Sequence, residues 1–384
     1  MSPAPGLSAL LSLVMIACGG AAPRPERPSV DAEAMTEAAA LAWQSLDPTE
    51  AADLAARALE GNPSTTALEI AARSNLALGR HEVAIEALAT ASSPHLRRLR
   101  ARAQMGGGDF QGAAATLEDD DDPWAQSVRP ALVALGARPA YSVQGDEAEV
   151  RLEDLPLPVV TIRVDAVETL ALIGSSAGMT VLDPSVRVNA GAIDELTIGA
   201  LSVGTVPHTV RSLATVRETL GVPVGAVLGL DLLMRLSARI DGPGRSLSLL
   251  ATAPAIPTDA VSAPLFTPTG SFLVVDAGIE AEPVWLTVDT AGLFPLALIP
   301  GADEALSLDE RTWQTTEAGG PSLTVIDTLR VGSMSVEGIP VVRGLLGEDL
   351  ARAVGAPIAG SLGWTLLSQM VTRFDPVGRR LVFE

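Results

Sequence analysis

The sequence contains one cysteine, Cys18, three histidines and only 3% aromatic residues. A single cysteine allows neither an internal disulfide nor a cysteine-based zinc site within one chain. His81, His95 and His208 are far apart in sequence, which disfavours a multi-histidine metal centre, and no metal or other cofactor is predicted. Basic residues are also few, since 26 Lys and Arg oppose 46 Asp and Glu and the formal charge is -20. Because nucleic-acid binders need clustered positive charge to displace phosphate counterions, this balance argues against a nucleic-acid partner.

Apolar residues, by contrast, are plentiful. They make up 47% of the 384 residues, and charged residues make up 19%. This composition supports a packed core and is too apolar for a disordered chain. The length predicts two or three domains.

The first apolar run, residues 7–17, is too short to span a bilayer but has the length of a signal-peptide core, and it ends at Cys18. Residues 15–19 (MIACG) resemble a bacterial lipobox, in which a small residue precedes the cysteine that becomes lipidated after cleavage. The resemblance implies a lipoprotein signal peptide over residues 1–18. It also implies a cell-envelope protein, on the periplasmic or extracellular side, that touches the membrane only through its lipid.

A chance cysteine behind an ordinary signal peptide is the alternative interpretation. Residues 1–6 contain no Lys or Arg, although signal peptides usually begin with positive charge. Residues 19–30 are rich in Gly, Ala and Pro and are predicted to form a flexible tether.

Residues 31–137 are rich in Ala, Leu, Glu and Arg, with apolar residues three and four apart, which is typical of amphipathic helices. A set of small and apolar residues recurs after 29 positions: Gly79, Ala84 and Leu88 as Gly108, Ala113 and Leu117. The recurrence resembles tetratricopeptide helical hairpins, which implies a surface for a protein partner or a spacer. A plain helical bundle is the alternative.

Residues 150–384 differ in composition, because short runs of Val, Leu and Ile alternate with Gly and Pro turns, as in an all-β region. The region also repeats itself. Residues 196–207 recur 133 positions later, and residues 239–247 recur 134 positions later. Two spaced matches at nearly the same offset predict a duplication into lobes at 150–252 and 262–384.

Each lobe carries the same elements in the same order. In the second lobe the apolar run 284–288 leads into Asp289-Thr290-Ala291-Gly292, and residues 358–363 precede the sequence WTLL. In the first lobe the run 169–173 leads into the turn 174–178, and residues 226–229 precede LDLL. This order resembles that of the retropepsin-like and pepsin-like aspartic peptidases. The fold predicted for the chain is therefore multidomain, with a helical-hairpin N-terminal domain followed by a two-lobed, acid-protease-like β-barrel domain.

The resemblance implies that each lobe contributes one aspartate, and that the two carboxylates share a proton because like charges about 3 Å apart cannot both ionise cheaply. Asp289 occupies this position in the second lobe, and Thr290 is the hydroxyl that braces the turn. Gly174 stands at the equivalent position of the first lobe, and glycine cannot transfer a proton. Ala291 intervenes before Gly292, so its methyl group is expected to displace the loop.

The favoured interpretation is a peptidase-like protein without catalysis that binds a peptide or protein in the groove between the lobes. Gly229, Gly292 and Gly363 are predicted to belong to this groove. The second interpretation is an active aspartic endopeptidase, in which Asp183, Asp231 or a second chain supplies the missing carboxylate. The sequence around Asp231 favours a helix-capping or surface carboxylate instead.

The third interpretation is a serine hydrolase. Residues 174–178 fit the Gly-x-Ser-x-Gly pattern of a nucleophile elbow, with Ser176 as nucleophile and His208 as a possible base. That elbow needs a helix after the serine, whereas residues 179–184 are predicted to be strand and turn. His208 is expected on the surface, at a loop or hairpin edge.

Overall fold

The computed structural model describes residues 31–61, 63–257, 260–315 and 320–384. The predicted signal peptide over residues 1–18, with Cys18, and the predicted tether over residues 19–30 lie outside the described residues. The first part of the described chain is helical, with α1 (Ala32–Gln44), α2 (Pro48–Gly61), α3 (Thr65–Ala77), α4 (His81–Ala87), α5 (Pro94–Gly107), α6 (Phe110–Thr116) and α7 (Pro123–Leu135).

These helices begin where short polar side chains satisfy free backbone N–H groups. Asp31, Ser64, Ser93, Asp109 and Asp122 each accept a hydrogen bond from the first turn of the helix that follows.

Each helix packs against the next one along the chain. Residues that recur after 29 positions have the same place in the packing, because Ala84, Leu88, Ala113 and Leu117 are all fully buried. None of the helices in the described parts of the chain is both long and apolar enough to cross a membrane.

Two β lobes follow, which confirms the predicted fold class. The first contains β1 (Ser142–Gln144), β2 (Glu147–Arg151), β3 (Val159–Val164), β4 (Val167–Ile173), β5 (Thr180–Leu182), β6 (Gly191–Ile198), β7 (Leu201–Val210), α8 (Ala214–Leu220), β8 (Val224–Leu228), α9 (Leu230–Leu233), β9 (Ser237–Asp241) and β10 (Ser246–Leu250).

The second lobe repeats this order. It contains β11 (Val261–Phe266), β12 (Val274–Ile279), β13 (Glu282–Asp289), β14 (Leu296–Leu298), α10 (Ala302–Ala305), β15 (Gln314–Thr315), β16 (Ser322–Val331), β17 (Met334–Arg343), α11 (Asp349–Val354), β18 (Ile358–Gly363), α12 (Trp364–Leu367), β19 (Val371–Asp375) and β20 (Arg380–Phe383).

The strands of each lobe close into a ring with the same neighbours. The order is β7-β5-β8-β4-β3-β6 in the first lobe and β17-β14-β18-β13-β12-β16 in the second, and β6 and β16 pair back to β7 and β17. Two equivalent parallel pairs, β4 with β8 and β13 with β18, have a register shift at the same place, after Leu170 and after Trp285. The duplication seen in sequence is therefore repeated in strand order and in irregularities of pairing.

A shared sheet joins the lobes in the order β11-β20-β19-β9-β10-β2. Its central pair, β9 with β19, sets Arg239 directly opposite Arg373. Like charges in this position repel, and Glu384 offsets the repulsion because its carboxylate binds both guanidinium groups. The repeated charges of these strands are thus cross-strand partners.

The helical region packs against both lobes. Trp285 of β13 is fully buried, lies edge-on to Trp43 of α1 at 5.3 Å and stacks on Phe266 at 5.3 Å. On the other side, α7 lies against β6 and β7 of the first lobe. A helical layer that contacts both lobes supplies one wall of the space between them.

Candidate functional site

Two buried hydroxyl groups lock the lobes together. The Thr290 hydroxyl donates to the Ile173 carbonyl at 2.7 Å and accepts from the Ser175 amide at 3.0 Å. The Ser175 hydroxyl donates to the Val288 carbonyl at 2.7 Å and accepts from the Thr290 amide at 3.0 Å. Each lobe thus gives the other the same pair of bonds, and Ser175 is the structural equivalent of Thr290.

This equivalence gives Gly174 the position in the first lobe that Asp289 has in the second, one residue before the locking hydroxyl. The turns that follow are also alike, because the carbonyls of Ala177 and Gly292 accept from the amides of Leu230 and Trp364 at 2.7 and 2.8 Å.

Gly229 and Gly363 permit a close approach of backbone to each of these turns. A Cβ at Gly229 would lie 2.5 Å from the carbonyl carbon of Met179, and a Cβ at Gly363 would lie 1.9 Å from the carbonyl oxygen of Phe294. No side chain fits such a gap. These two predicted groove glycines therefore shape the turns that hold the site. A Cβ at Gly292 would lie 2.6 Å from the Phe294 ring.

The space beside Gly174 is filled by a hydrocarbon group. A Cβ built at Gly174 would lie 2.5 Å from Cγ1 of Val227, a buried residue of β8. A carboxylate at position 174 would need that methyl group to move. The first lobe thus places an apolar group, and no acid, against the interlobe lock.

Asp289 is half-buried at the end of β13. Burial raises its pKa, against opposing hydrogen bonds from the Ala291 amide, at 3.0 Å, and from the Ser176 hydroxyl. Ala291 reaches Asp289 without a left-handed backbone conformation, so its methyl group is compatible with a turn that still supports the carboxylate.

The two proposed replacement carboxylates have other partners. Asp183 is buried, forms an ion pair with Arg217 at 2.7 Å and accepts from the Leu213 amide at 2.8 Å. Desolvation would raise the pKa of Asp183, but these bonds and those from Ser185 outweigh it and hold the pKa well below its usual range. Asp183 is therefore fixed as a structural anion.

The expectation that Asp231 caps a helix or lies on the surface is wrong, because Asp231 is half-buried and α9 has no side-chain cap hydrogen bond. Asp231 accepts hydrogen bonds from the Tyr141 hydroxyl at 2.9 Å and from the Thr180 hydroxyl at 3.1 Å. Desolvation by burial raises its pKa to about 6, although these hydrogen bonds oppose the shift. These hydrogen bonds could not be predicted from the sequence, because Tyr141 lies 90 residues before Asp231 and outside the predicted lobe of residues 150–252.

The serine-hydrolase arrangement is not assembled. Strand β5 follows the turn, as predicted, so Ser176 has no helix behind it. His208 is buried on β7, contrary to the surface position expected, and its Nε2 lies 3.2 Å from the Asn189 carbonyl. Ser176 is exposed and interacts with Asp289 instead.

Ser176 also lines a cavity of about 580 Å³ between the helical region and the lobes. Residues that sequence reasoning did not assign to a site line it as well, including Arg102 of α5, Trp124 of α7 and Arg235. They belong to separate segments, and no local sequence pattern connects them. Within residues 31–61, 63–257, 260–315 and 320–384, no His, Cys, Asp and Glu side chains form a group of three or more that could hold a metal ion.

No family model matches the chain, and no curated protein sequence matches it. Among solved structures, the chain is similar to a retropepsin-like aspartic protease from Rickettsia conorii, with 17% identity and a TM-score of 0.24 over 32% of this chain and 86% of that one. It is also similar to an aspartic proteinase from Irpex lacteus, with 11% identity and a TM-score of 0.42 over 62% of this chain and 96% of that one. Both are aspartic proteases, the class that the order of sequence elements resembles.

We expect Thr290→Val to lower the free energy of unfolding by about 2 to 4 kcal/mol, because the buried Ser175 amide and Ile173 carbonyl both lose their partner. Thr290→Ser keeps the hydroxyl and should lose clearly less. Thr365→Val, at an exposed threonine of α12, is the matched control, and urea denaturation measures all three. Equal losses for the serine and valine variants at position 290 would refute the hydroxyl lock.

We expect Gly174→Ala to cost about 1 to 3 kcal/mol of stability, because its Cβ meets Val227. Val227→Ala removes the obstructing methyl group, so the double variant should be more stable than the sum of the single effects by about 1 kcal/mol. A double-mutant cycle in urea measures this coupling. Strict additivity would show that the two side chains do not compete for the same space.

Proposed function

We propose that this chain is a non-hydrolytic peptide-binding protein of the cell envelope, built on a duplicated β-barrel pair that resembles aspartic peptidases. The observation that carries the proposal is that Gly174 occupies, in the first lobe, the position beside the interlobe lock that Asp289 occupies in the second. General acid–base hydrolysis by such a pair needs one carboxylate to activate water and another group to protonate the scissile carbonyl. A single carboxylate facing a glycine supplies only one of these.

The neighbourhood of Gly174 supports this interpretation further. The Cγ1 methyl of Val227 occupies the place where a side chain at position 174 would begin. Asp183 is held by Arg217, and Asp231 by Tyr141 and Thr180, so both have structural roles. An active endopeptidase would then require a carboxylate from a second chain.

Asp289 suits binding in a groove. A carboxyl group whose pKa is raised by burial keeps its proton at higher pH, so it can donate a hydrogen bond as well as accept one. Peptide backbone offers both a carbonyl acceptor and an amide donor. A partly desolvated carboxyl between two lobes can therefore hold a peptide without cleaving it.

The cell-envelope part of the proposal rests on the apolar run 7–17 and the lipobox-like residues that end in Cys18. We expect the protein expressed in a bacterial host to partition into the detergent phase of a phase-separating detergent, and Cys18→Ser to abolish this because the acyl chain cannot attach. Incorporation of radioactive palmitate at Cys18 is the direct measurement. Equal partitioning of the two proteins would contradict lipidation.

We expect no cleavage when the full-length protein is incubated with a diverse peptide pool from pH 3 to 8, and saturable binding of peptides blocked at both ends. Mass spectrometry reads cleavage, and calorimetry reads binding. Asp289→Asn is the matched variant, because the amide keeps the shape of the side chain and removes the proton-transfer group.

Cleavage that is present in the wild type and absent in Asp289→Asn would overturn the proposal and favour an active peptidase. Cleavage that is equal in both proteins would indicate a co-purified protease. Absence of both cleavage and binding would contradict the peptide-binding role.

A further inference from the structure

The cavity of about 580 Å³ has walls from three parts of the molecule. Helices α5 and α7 form one wall, the turn that begins at Ser176 forms a second, and a third comes from the loop that contains Ser271 in the second lobe. The volume lies within the range typical of small-ligand sites, roughly 300 to 1,000 Å³. The cavity adjoins the candidate site, because Ser176 lines it and also interacts with Asp289.

The charged groups that line the cavity are mostly cationic, although the whole protein is strongly acidic. Arg102, Arg211, Arg235 and Arg379 face it together with one carboxylate, Asp231. Among the described residues, none of these arginines has a carboxylate within ion-pair distance.

Two of these guanidinium groups are held in place by neutral groups. Arg102 lies over the Trp124 ring, 3.9 Å from its centre, and donates to the Thr269 carbonyl at 3.3 Å. Arg379 donates to the Ala77 carbonyl at 2.8 Å and also to the Thr267 hydroxyl. These contacts fix position without neutralising charge.

Arg235 is exposed and lies over the Tyr141 ring, 4.3 Å from its centre. Arg235 also hydrogen-bonds to Tyr141 and interacts with the charge of Asp231. Because a guanidinium group has five N–H donors, the others remain for a planar anion.

Partly desolvated cations without a counter-ion are costly. Burial lowers the pKa of Arg102 to about 10, with the positive fields of Arg73 and Arg98 adding to the effect against Asp122. Burial also lowers the pKa of Arg379. A bound anion would supply the missing negative charge, and a planar carboxylate matches the fork of a guanidinium group.

The rest of the lining combines hydroxyl side chains with apolar and aromatic ones. The apolar and aromatic part includes Met105, Phe110, Val128, Met179 and Met234. A fully polar ion such as phosphate would leave these groups unused. An anion attached to a hydrophobic group fits both parts of the cavity.

We propose that this cavity binds the carboxyl end of a peptide, with the α-carboxylate among the arginines and an apolar C-terminal side chain against the methionines and Phe110. The inference rests on the proposed function, because the rest of that peptide runs past Ser176 into the groove beside Asp289. It specifies the direction in which the peptide binds and the kind of residue at its end. The C-terminal carboxylate is free, and the last residue is apolar.

The test compares three probes by calorimetry on the full-length protein. They are an acetylated pentapeptide that ends in Leu-Phe with a free carboxylate, the same peptide as its C-terminal amide, and acetylphenylalanine. We expect the free acid to bind roughly tenfold more tightly than the amide, because a charge-assisted bond to a guanidinium group is lost in the amide.

Arg235→Gln should remove most of this preference, because the variant keeps a polar side chain over Tyr141 and loses the charge. Arg235→Lys should retain part of it. Arg352→Gln is the matched control, since Arg352 is an exposed arginine paired with Asp349 outside this cavity. Melting temperatures of the variants verify that each one is folded.

Equal affinities for the acid and the amide would overturn the carboxylate site and leave peptide binding in the groove intact. Binding of acetylphenylalanine without either peptide would replace the peptide end with a small organic acid, and it would also contradict the proposed function. If the preference for the free acid over the amide is unchanged in Arg235→Gln but reduced in Arg352→Gln, the carboxylate binds elsewhere. That result would overturn its assignment to this cavity.

Discussion

The two lobes depend on a reciprocal lock between Ser175 and Thr290, whose hydroxyls are both buried. Each hydroxyl reaches across the interface to a carbonyl and an amide of the other lobe. These backbone groups are buried away from water, so the loss of either hydroxyl leaves buried polar atoms without a hydrogen-bond partner. The lock needs no carboxylate. It therefore survives in a chain whose first lobe has Gly174 where the second has Asp289.

The contacts that hold the two lobes together are thus separate from the acidic groups that catalysis by such a fold would need. The lock, the turn glycines and the parallel strand pairs are kept in both lobes, whereas only one lobe has an acid at the site. Val227 packs into the space beside Gly174, which turns the vacant position into part of the core. Asp289 is half-buried and its pKa is raised by burial, so above the pKa of the unfolded chain its carboxyl group lowers the stability of the fold.

The helical region changes what the interlobe space can bind. Because it packs on both Trp285 and β6–β7, it closes one side of the cavity and adds Arg102 to it. Arg235 and Arg379 come from the two lobes. Positive charge is thereby concentrated in one place on a protein with a net charge of -20.

The duplication could be predicted from sequence because two spaced motifs recur at offsets of 133 and 134 residues. The equivalence of Gly174 and Asp289 could be predicted because in each lobe an apolar run leads directly into a turn at that position. The strand after Ser176 followed from local residue types. The burial of His208, the hydrogen bond from Tyr141 to Asp231 and the ring of arginines could not be predicted in this way. They arise from contacts between residues many positions apart, such as Arg379 and Ala77. The local sequence pattern determines how each strand and turn forms. Only the closure of the barrels and the packing of the helices against them decide which distant side chains share a desolvated space. That environment then shifts the pKa values of these side chains and determines their hydrogen-bond partners.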